Sequence, residues 1–322
     1  MNYDNLVIEK FKKGEINISD AFSALINNNK KNIKYSNIKD NKYISENNLK
    51  SNNNLDLTLN EMDNLVGLNS IKKIIREYIA YIQIQDIRKR YNLKTKPVVM
   101  HMIFKGNPGT GKTTIARMVG KIFKEIGFLN NGNIIEAERA DLVGEYIGHT
   151  AQKTRKLIDK ALGGVLFVDE AYSLARGGEK DFGKEAIDTM VKAMEDNKDN
   201  LIIILAGYRD EMDYFLETNP GLSSRFAIQL DFPDYTIDQL VKIADLMYKE
   251  REYILSKRSK YYIYNILSKI RFKESKYNGN ARTVRNLVEK SIRRHAKRIM
   301  KNKNYNKENL IYIKPIDLSG ED

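Results

Sequence analysis

The chain of 322 residues has no cysteine and only three histidines. The first absence excludes disulfide bonds, zinc sites built from cysteine, and catalysis by a thiol. The histidines, His101, His149 and His295, lie far apart and show no metal-ligand spacing. Long apolar runs are also missing: the longest candidate, 201–206, has the length of a strand, and residues 1–14 lack the apolar centre of a signal peptide. These absences predict a cytoplasmic protein without membrane insertion.

Charge, by contrast, is abundant and unevenly distributed. The formal net charge is +13, and residues 241–322 contain 21 Lys and Arg against 9 Asp and Glu, which leaves +12 in this segment. A basic segment suits acidic partners, including nucleic acid. The alternative is a solvated basic surface on helices. We favour the alternative because no nucleic-acid-binding motif accompanies the charge.

Residues 106–113 read Gly-Asn-Pro-Gly-Thr-Gly-Lys-Thr, a full match to the phosphate-binding P-loop pattern. Apolar residues over 98–104 predict a buried strand before it, and helical spacing over 113–125 predicts a helix after it. In such a loop backbone N–H groups point at phosphate oxygens, Lys112 reaches the β- and γ-phosphates, and the Thr113 hydroxyl can hold Mg²⁺. The sequence therefore predicts a site for ATP and Mg²⁺ formed by Gly106, Asn107, Pro108, Gly109, Thr110, Gly111, Lys112, Thr113 and Thr114.

A second motif, Gly-Gly-Val-Leu-Phe-Val-Asp-Glu at 163–170, matches the Walker B pattern. The apolar strand predicted at 165–168 carries Asp169 to the carboxyl edge of the sheet, where parallel sheets present their ligand sites. We expect Asp169 to join the Mg²⁺ shell and Glu170 to orient and polarise the attacking water. The P-loop indicates nucleotide binding, and together with this acidic pair it indicates that the nucleotide is hydrolysed.

Strand and helix patterns alternate from residue 98 to residue 233, which predicts an α/β core with a parallel sheet covered by helices. We place this core at 55–233, with an amphipathic helix over 68–91 before the P-loop strand. The strand signal nearly disappears after Pro233, so a small, basic, all-helical lid domain is expected over 234–322. The remaining predicted elements are strands at 165–168, 201–206 and 228–232 and helices at 153–161, 184–194, 236–255, 258–271 and 281–300.

The first 54 residues differ in composition from the rest. Residues 1–26 have apolar clusters on either side of Gly14 and are interpreted as a short helical segment. Residues 27–54 contain 11 asparagines and few apolar side chains, which is typical of a disordered Asn/Lys-rich linker. No motif assigns a function to these residues.

The two phosphate-site motifs, followed by a helical domain, resemble the AAA+ ATPases, a family of P-loop NTPases. The resemblance implies roles for two arginines. Arg225, in Asn-Pro-Gly-Leu-Ser-Ser-Arg-Phe at 219–226, matches the arginine finger, a catalytic arginine that reaches the nucleotide site of the next subunit. Arg282, in Gly-Asn-Ala-Arg at 279–282, matches the second sensor, which reads the γ-phosphate in its own subunit.

Further expectations come from the same resemblance. It implies that the adenine lies near Val66 and Gly67, and that the chain assembles with itself into a ring, for which six subunits is the family number. One position departs from the family pattern. The first-sensor position, at the end of the third predicted strand, is commonly Asn, Ser or Thr in the family. Tyr208 occupies the matching place here, and the sequence leaves open whether its hydroxyl takes over the sensor role.

Residues 145–148, Glu-Tyr-Ile-Gly, resemble the pore loop with which AAA+ remodellers grip a polypeptide. An aromatic ring such as Tyr146, with Ile147 beside it, can press on almost any extended chain, and Gly148 keeps the loop mobile. The alternative is a tyrosine packed in the core beneath a loop. Residues 175–180 are a weaker candidate for a second pore loop.

Residues 62–300 resemble, more narrowly, the CbbX/SpoVK branch of the AAA+ proteins, and the SpoVK side most of all. The stretches 138–150, 169–188 and 219–226 carry this resemblance. It implies an ATPase that remodels an unidentified protein client through the pore of a ring, during spore maturation. Two alternatives stay open: a Rubisco-activating remodeller of the CbbX type, and an AAA+ protein that acts on nucleic acid.

Overall fold

A computed structural model describes residues 54–146, 148–176, 182–273 and 279–319, together with Lys10. Residues 51–322 form one compact unit, and the fold reported below is that of this unit. The helical segment predicted for 1–26 and almost all of the linker predicted for 27–54 lie outside the described residues.

A five-stranded parallel sheet in the order β2-β3-β4-β1-β5 forms the centre of the core. The three inner strands are buried along their whole length, which explains their continuous apolar sequences. Because parallel strands end at one edge, the P-loop, Asp169 and Tyr208 are brought to the same side of the sheet. The strands are β1 Met102–Gly106, β2 Ile134–Ala137, β3 Val165–Val168, β4 Ile202–Gly207 and β5 Ile228–Phe232.

The strands predicted after residue 160 are confirmed to within a residue at each end, whereas the bounds of the strand before the P-loop need correction and one strand was missed. Strand β1 begins at Met102, later than the apolar run over 98–104 suggests. Strand β2 was not predicted. It is a four-residue edge strand in which only Ala137 is buried, so it lacks both the apolar run and the alternation of the inner strands.

Helices cover both faces of the sheet and bury two separate apolar clusters. Phe104 belongs to one cluster and its neighbour Ile103 to the other, because successive strand residues point to opposite faces. The cluster that contains Phe104 continues without a break into Tyr248 and Val284 of the lid. The core helices are α1 at 54–64, α2 Asn69–Arg90, α3 Lys112–Glu125, α4 Arg139–Leu142, α5 His149–Ala161, α6 Gly183–Asp196, α7 Arg209–Glu217 and α8 Pro220–Ser223, with a 3₁₀ turn at Ala171–Ala175.

The lid is helical, as predicted, but the expectation that it is entirely helical needs one correction. A two-stranded parallel sheet joins β6, Ile254–Leu255, to β7, Tyr312–Ile313. Two-residue strands are too short to show a period, and this pairing joins positions far apart in the sequence, so no local signal marks it. The lid helices are α9 Ile237–Lys249, α10 Lys257–Lys273, α11 Asn280–Asn302, α12 Lys307–Ile311 and α13 Pro315–Ser319.

The helix predicted for 236–255 is shorter than expected. It begins at Ile237, after a capping box in which Thr236 and Gln239 satisfy each other's backbone N–H groups. It ends at Lys249 because the chain then turns through Glu252, whose φ of 61° is incompatible with a continuing helix. Among the helices that the structure describes, none has the length and apolar content needed to span a bilayer.

His101, immediately before β1, is a buried base whose protonation opposes folding. Its Nδ1 accepts a hydrogen bond from the Ile203 N–H at 3.0 Å, and its Nε2 lies 3.4 Å from the Met194 carbonyl oxygen. Burial lowers the pKa of His101 from 6.5 to about 4, against a smaller opposing effect of the Met194 carbonyl. At pH values between these two pKa values, His101 is mostly protonated in the unfolded chain and mostly neutral in the folded chain.

We therefore expect His101 to contribute full stability above its unfolded pKa of 6.5 and progressively less as the pH falls towards about 4. His101→Asn keeps an acceptor for the Ile203 N–H and cannot titrate. Between about pH 7 and about pH 5, its free energy of unfolding should fall by about 2 kcal/mol less than that of the wild type. Urea denaturation at both pH values measures this difference. Parallel losses in the two proteins would contradict it.

Candidate functional site

The P-loop folds back on itself around the Lys112 side chain. Lys112 Nζ donates hydrogen bonds to the carbonyl oxygens of Gly106 at 2.7 Å and Asn107 at 2.9 Å. Gly109 has a φ of 71°, and a Cβ at this position would lie 2.4 Å from the carbonyl oxygen of Gly279 in the lid. Only glycine fits such a contact in that backbone conformation. The loop is thus held between α3, which it starts, and the beginning of α11.

A cavity of about 470 Å³ opens beside this loop. The P-loop and the start of α3 contribute Pro108, Gly109, Gly111, Lys112, Thr113 and Thr114 to its lining. Gly106, Asn107 and Thr110 are not in the lining of this cavity, and their predicted role in ATP binding stays a prediction. Thr110 is fully buried, and its Oγ1 donates to the Asn107 carbonyl oxygen at 2.7 Å.

Both Walker B carboxylates and one of the two predicted arginines reach the same cavity. Asp169 and Glu170 line it together with Lys112, and Arg282 lines it from α11. Burial lowers the pKa of Lys112, the two carboxylates oppose this shift, and the positive charge of Arg282 adds to it. Asp169, Glu170 and Arg282 are therefore close enough to Lys112 to act on it electrostatically, as expected of groups that share one ligand site.

Glu170 has an unusual backbone conformation for its residue type. Its φ is 47°, in the left-handed region, and its N–H donates to Asp169 Oδ1 at 3.0 Å. A non-glycine residue in this region costs about 1–3 kcal/mol, and such residues cluster at functional sites. The strain thus falls on the carboxylate that the sequence marks for hydrolysis.

A side-chain network joins the lid to the P-loop. Asn280, the first residue of α11, donates to Asp234 Oδ1 at 2.8 Å and to the Pro108 carbonyl oxygen at 3.3 Å. Asn107 donates to both carboxylate oxygens of Asp234, at 3.0 and 3.1 Å. Asn280 is buried with a φ of 46°. Because Arg282 follows two residues later, this network sets where its guanidinium enters the cavity.

Comparison with known proteins identifies the family of this chain. Residues 102–234 match the ATPase family associated with various cellular activities, AAA, and residues 236–322 match the AAA lid domain. Stage V sporulation protein K of Bacillus subtilis is 56% identical over 80% of this chain and 81% of its own length. The chain belongs to the AAA+ ATPases. It is therefore a nucleotide-binding enzyme that hydrolyses ATP.

Within the AAA+ ATPases the chain falls in the CbbX/SpoVK branch. The chloroplastic ribulose bisphosphate carboxylase/oxygenase activase of Cyanidioschyzon merolae is 42% identical over 75% of this chain and 82% of its own length. Among solved structures, a RuvB variant from Thermotoga maritima has a TM-score of 0.54 at 17% identity, and the match covers 80% of this chain and 69% of RuvB. That structural similarity supports the fold alone.

Three other predicted site residues are not in the lining of the cavity beside the P-loop. Arg225 forms an ion pair with Glu195 instead. Val66 and Gly67 are also outside the lining. A Cβ at Gly67 would lie 2.9 Å from the side chain of Gln239, on the lid side of the P-loop. The adenine site near Val66 and Gly67 stays a prediction.

Tyr208, at the first-sensor position, does line the cavity, directly after β4. Its ring lies 6.0 Å, centroid to centroid, from that of Tyr172, and Tyr172 has the Arg176 guanidinium over its ring at 4.6 Å. The position of Tyr208 at the cavity fits a sensor, and its role stays a prediction.

The cavity lining includes two arginines that were not predicted, Arg117 of α3 and Arg285 of α11. Arg117 is paired with Glu136 of β2. Arg285 follows Arg282 by three residues, so both stand on one face of α11. Among the described residues Arg285 has no ion-pair or hydrogen-bond partner. The helical spacing of the two arginines was the available signal, but it acquires meaning only once α11 is known to face the P-loop.

We expect Arg285→Ala to weaken ATP binding by about tenfold, the loss typical of one hydrogen bond to a charged group. The matched control is Arg293→Ala, which removes an exposed arginine from the same helix outside the cavity lining. Titration with a fluorescent ATP analogue gives both dissociation constants. Equal affinities for the two variants would show that Arg285 does not contact the nucleotide.

Proposed function

We propose that this AAA+ ATPase uses ATP hydrolysis to remodel a protein client in the pore of a homo-oligomeric ring of six subunits. It acts in the cytoplasm and, by its similarity to stage V sporulation protein K, in spore maturation. The observation that carries the proposal is the position of Tyr146. This aromatic ring is exposed on a loop that borders the same carboxylates as the nucleotide cavity.

Tyr146 is 66% exposed, which removes the alternative of a core tyrosine. It makes one edge-on ring contact, with His149, at 5.5 Å between centroids. The following turn contains Gly148, which has a φ of 81° and open space around it. Ile147 and the second candidate loop beyond Arg176 lie outside the described residues. The ring is therefore available to a polypeptide, which an aromatic side chain can grip with little sequence preference.

The Tyr146 loop is physically close to the hydrolytic carboxylates. A second cavity, of about 520 Å³, is lined by Glu145 of this loop and by Asp169 and Glu170. Lys153 lines it too and donates to the Val143 carbonyl oxygen at 3.2 Å, at the start of the loop. We propose that a rearrangement of the two carboxylates on hydrolysis reaches the Tyr146 loop through this shared cavity.

The residues at the site support each role that hydrolysis needs. Glu170 orients and polarises the attacking water, and Lys112 stabilises the charge on the β- and γ-phosphates. Arg282 contacts the γ-phosphate from the lid. Arg225, which is outside the lining of its own cavity, supplies positive charge to the next subunit. The ring is thus part of the catalytic proposal, because a subunit alone lacks this arginine at its site.

The residues present also fit Mg²⁺. Thr113 and Asp169 line the cavity and offer hydroxyl and carboxylate oxygens, the donor type that Mg²⁺ prefers. These two residues would hold the ion, which would neutralise phosphate charge. The residues described by the structure contain no cluster of three or more His, Cys, Asp or Glu suited to a metal, so phosphate and water oxygens are left to complete such a shell.

The two alternative functions differ in their client. A Rubisco-activating enzyme would use the same machinery on another protein, and the 42% identity to an activase supports a protein client in general. Action on nucleic acid rests on the basic lid alone. It would require binding that weakens with salt by roughly 0.9 log unit per neutralised phosphate for each log unit of salt.

The role of Glu170 is tested by Glu170→Gln. The amide keeps the shape of the side chain and removes the negative charge that polarises water. We expect ATP binding to stay near the wild-type value and turnover to fall by about 10²–10⁴-fold. Lys112→Ala is the contrasting variant, since it should weaken binding itself. Wild-type turnover in Glu170→Gln would overturn the hydrolytic assignment.

The role of Tyr146 is tested by Tyr146→Ala. Because the side chain is exposed, the free energy of unfolding should stay within about 0.5 kcal/mol of the wild type. We expect ATP turnover within a few-fold of the wild type and loss of complementation in sporulating cells. Tyr146→Phe should complement, since the ring supplies the grip. The control is Tyr214→Ala, which removes another exposed tyrosine from the α/β domain. A stable, active Tyr146→Ala protein that complements would remove the pore-loop hypothesis.

A further inference from the structure

We infer that Glu195 is a positioning residue for Arg225: it holds the guanidinium in the orientation in which Arg225 serves the next subunit. This inference rests on the arginine-finger role in the proposed function. Arg225 Nε and Nη2 both donate to Glu195 Oε1, at 2.9 and 2.6 Å. Its Nη1 donates to the Gly221 carbonyl oxygen at 3.0 Å. Three separate hydrogen bonds thus fix one arginine side chain.

These bonds leave donors at the end of the guanidinium. An arginine side chain has five N–H groups, one on Nε and two on each terminal nitrogen. Glu195 occupies the Nε–Nη2 side, and Gly221 takes one N–H of Nη1. One N–H on each terminal nitrogen stays available for a phosphate oxygen. The Glu195 contact is therefore compatible with a finger, and it defines the plane in which the remaining donors lie.

Both ends of the ion pair are attached to a rigid part of the core. Glu195 lies in the last turn of α6, just after the buried residue Met194. Arg225 precedes the buried Phe226, and Leu222 lies one turn before it. Met190, Met194, Leu222 and Phe226 belong to one apolar cluster. Apolar packing therefore fixes the backbone positions of Glu195 and Arg225. The ion pair then fixes the direction of the long Arg225 side chain.

Stability is a poor explanation for this pair. The side chains of Arg225 and Glu195 are 36% and 61% exposed, and exposed ion pairs contribute little to folding. Orientation is the better explanation, because charge that is already in place stabilises a transition state without reorganisation. An exposed arginine without this anchor would have to lose its rotational freedom each time a ring interface becomes active.

The test compares turnover in assembled protein for Glu195→Ala, Arg225→Ala and the double variant. We expect Arg225→Ala to lower kcat by about 10³-fold or more. Glu195→Ala should lower it by about tenfold with KM for ATP unchanged. Glu195→Gln keeps an oxygen acceptor for both Arg225 donors and should recover most of the rate. The double variant should match Arg225→Ala, because Glu195 acts only through Arg225. Asp196→Ala, at the exposed next residue, is the control.

The outcomes separate this inference from the proposed function. Wild-type turnover in Arg225→Ala would remove the arginine-finger role itself. If Arg225→Ala is slow but Glu195→Ala turns over ATP at or above the wild-type rate, the positioning role alone is overturned. A double variant slower than Arg225→Ala would do the same, since Glu195 would then act by another route. Thermal unfolding of each variant shows that it is folded. Mixing Arg225→Ala with Lys112→Ala subunits, which should restore activity at mixed interfaces, confirms action between subunits.

Discussion

The contact between the P-loop and the start of α11 is the constraint on which the nucleotide site depends. Gly109 approaches the Gly279 carbonyl so closely that any side chain at Gly109 would be excluded. The Asn280 and Asp234 side chains fasten the same two segments with hydrogen bonds. This contact makes the P-loop and the lid share one cavity, because it brings Arg282 into the same lining as Lys112.

Apolar packing also joins core and lid into one compact unit. The apolar cluster around Phe104 continues through Phe232 into Tyr248 and Val284 of the lid. Close-packed interiors transmit displacements, since they cannot be compressed or opened without cost. We therefore expect a change of contacts at Arg282 to affect the packing between the lid helices and the sheet. On the other side of the site, Asp169 and Glu170, which directly follow β3, line a second cavity together with Glu145 of the Tyr146 loop.

The sequence predicted those parts of the site that are local in the chain. The P-loop, the Asp169–Glu170 pair and the buried inner strands carry their own patterns, because each pattern is a direct requirement of phosphate geometry or of burial on both faces. The sequence predicted neither β2 nor the small lid sheet. Strand β2 lies at the exposed edge of the sheet, and the lid sheet pairs strands of two residues, so neither has a hydrophobic periodicity in the sequence.

What the sequence by itself determined is the chemistry: a phosphate cradle, two carboxylates after a buried strand, and an aromatic loop. Tertiary structure decided which side chains meet. It placed Arg285 at the cavity, put Glu195 against Arg225, and fixed Glu170 in a left-handed backbone conformation. The reason is physical. A motif records the demands of one ligand on a short stretch of chain, whereas these contacts join residues from separate helices and turns, whose meeting depends on how the whole core packs.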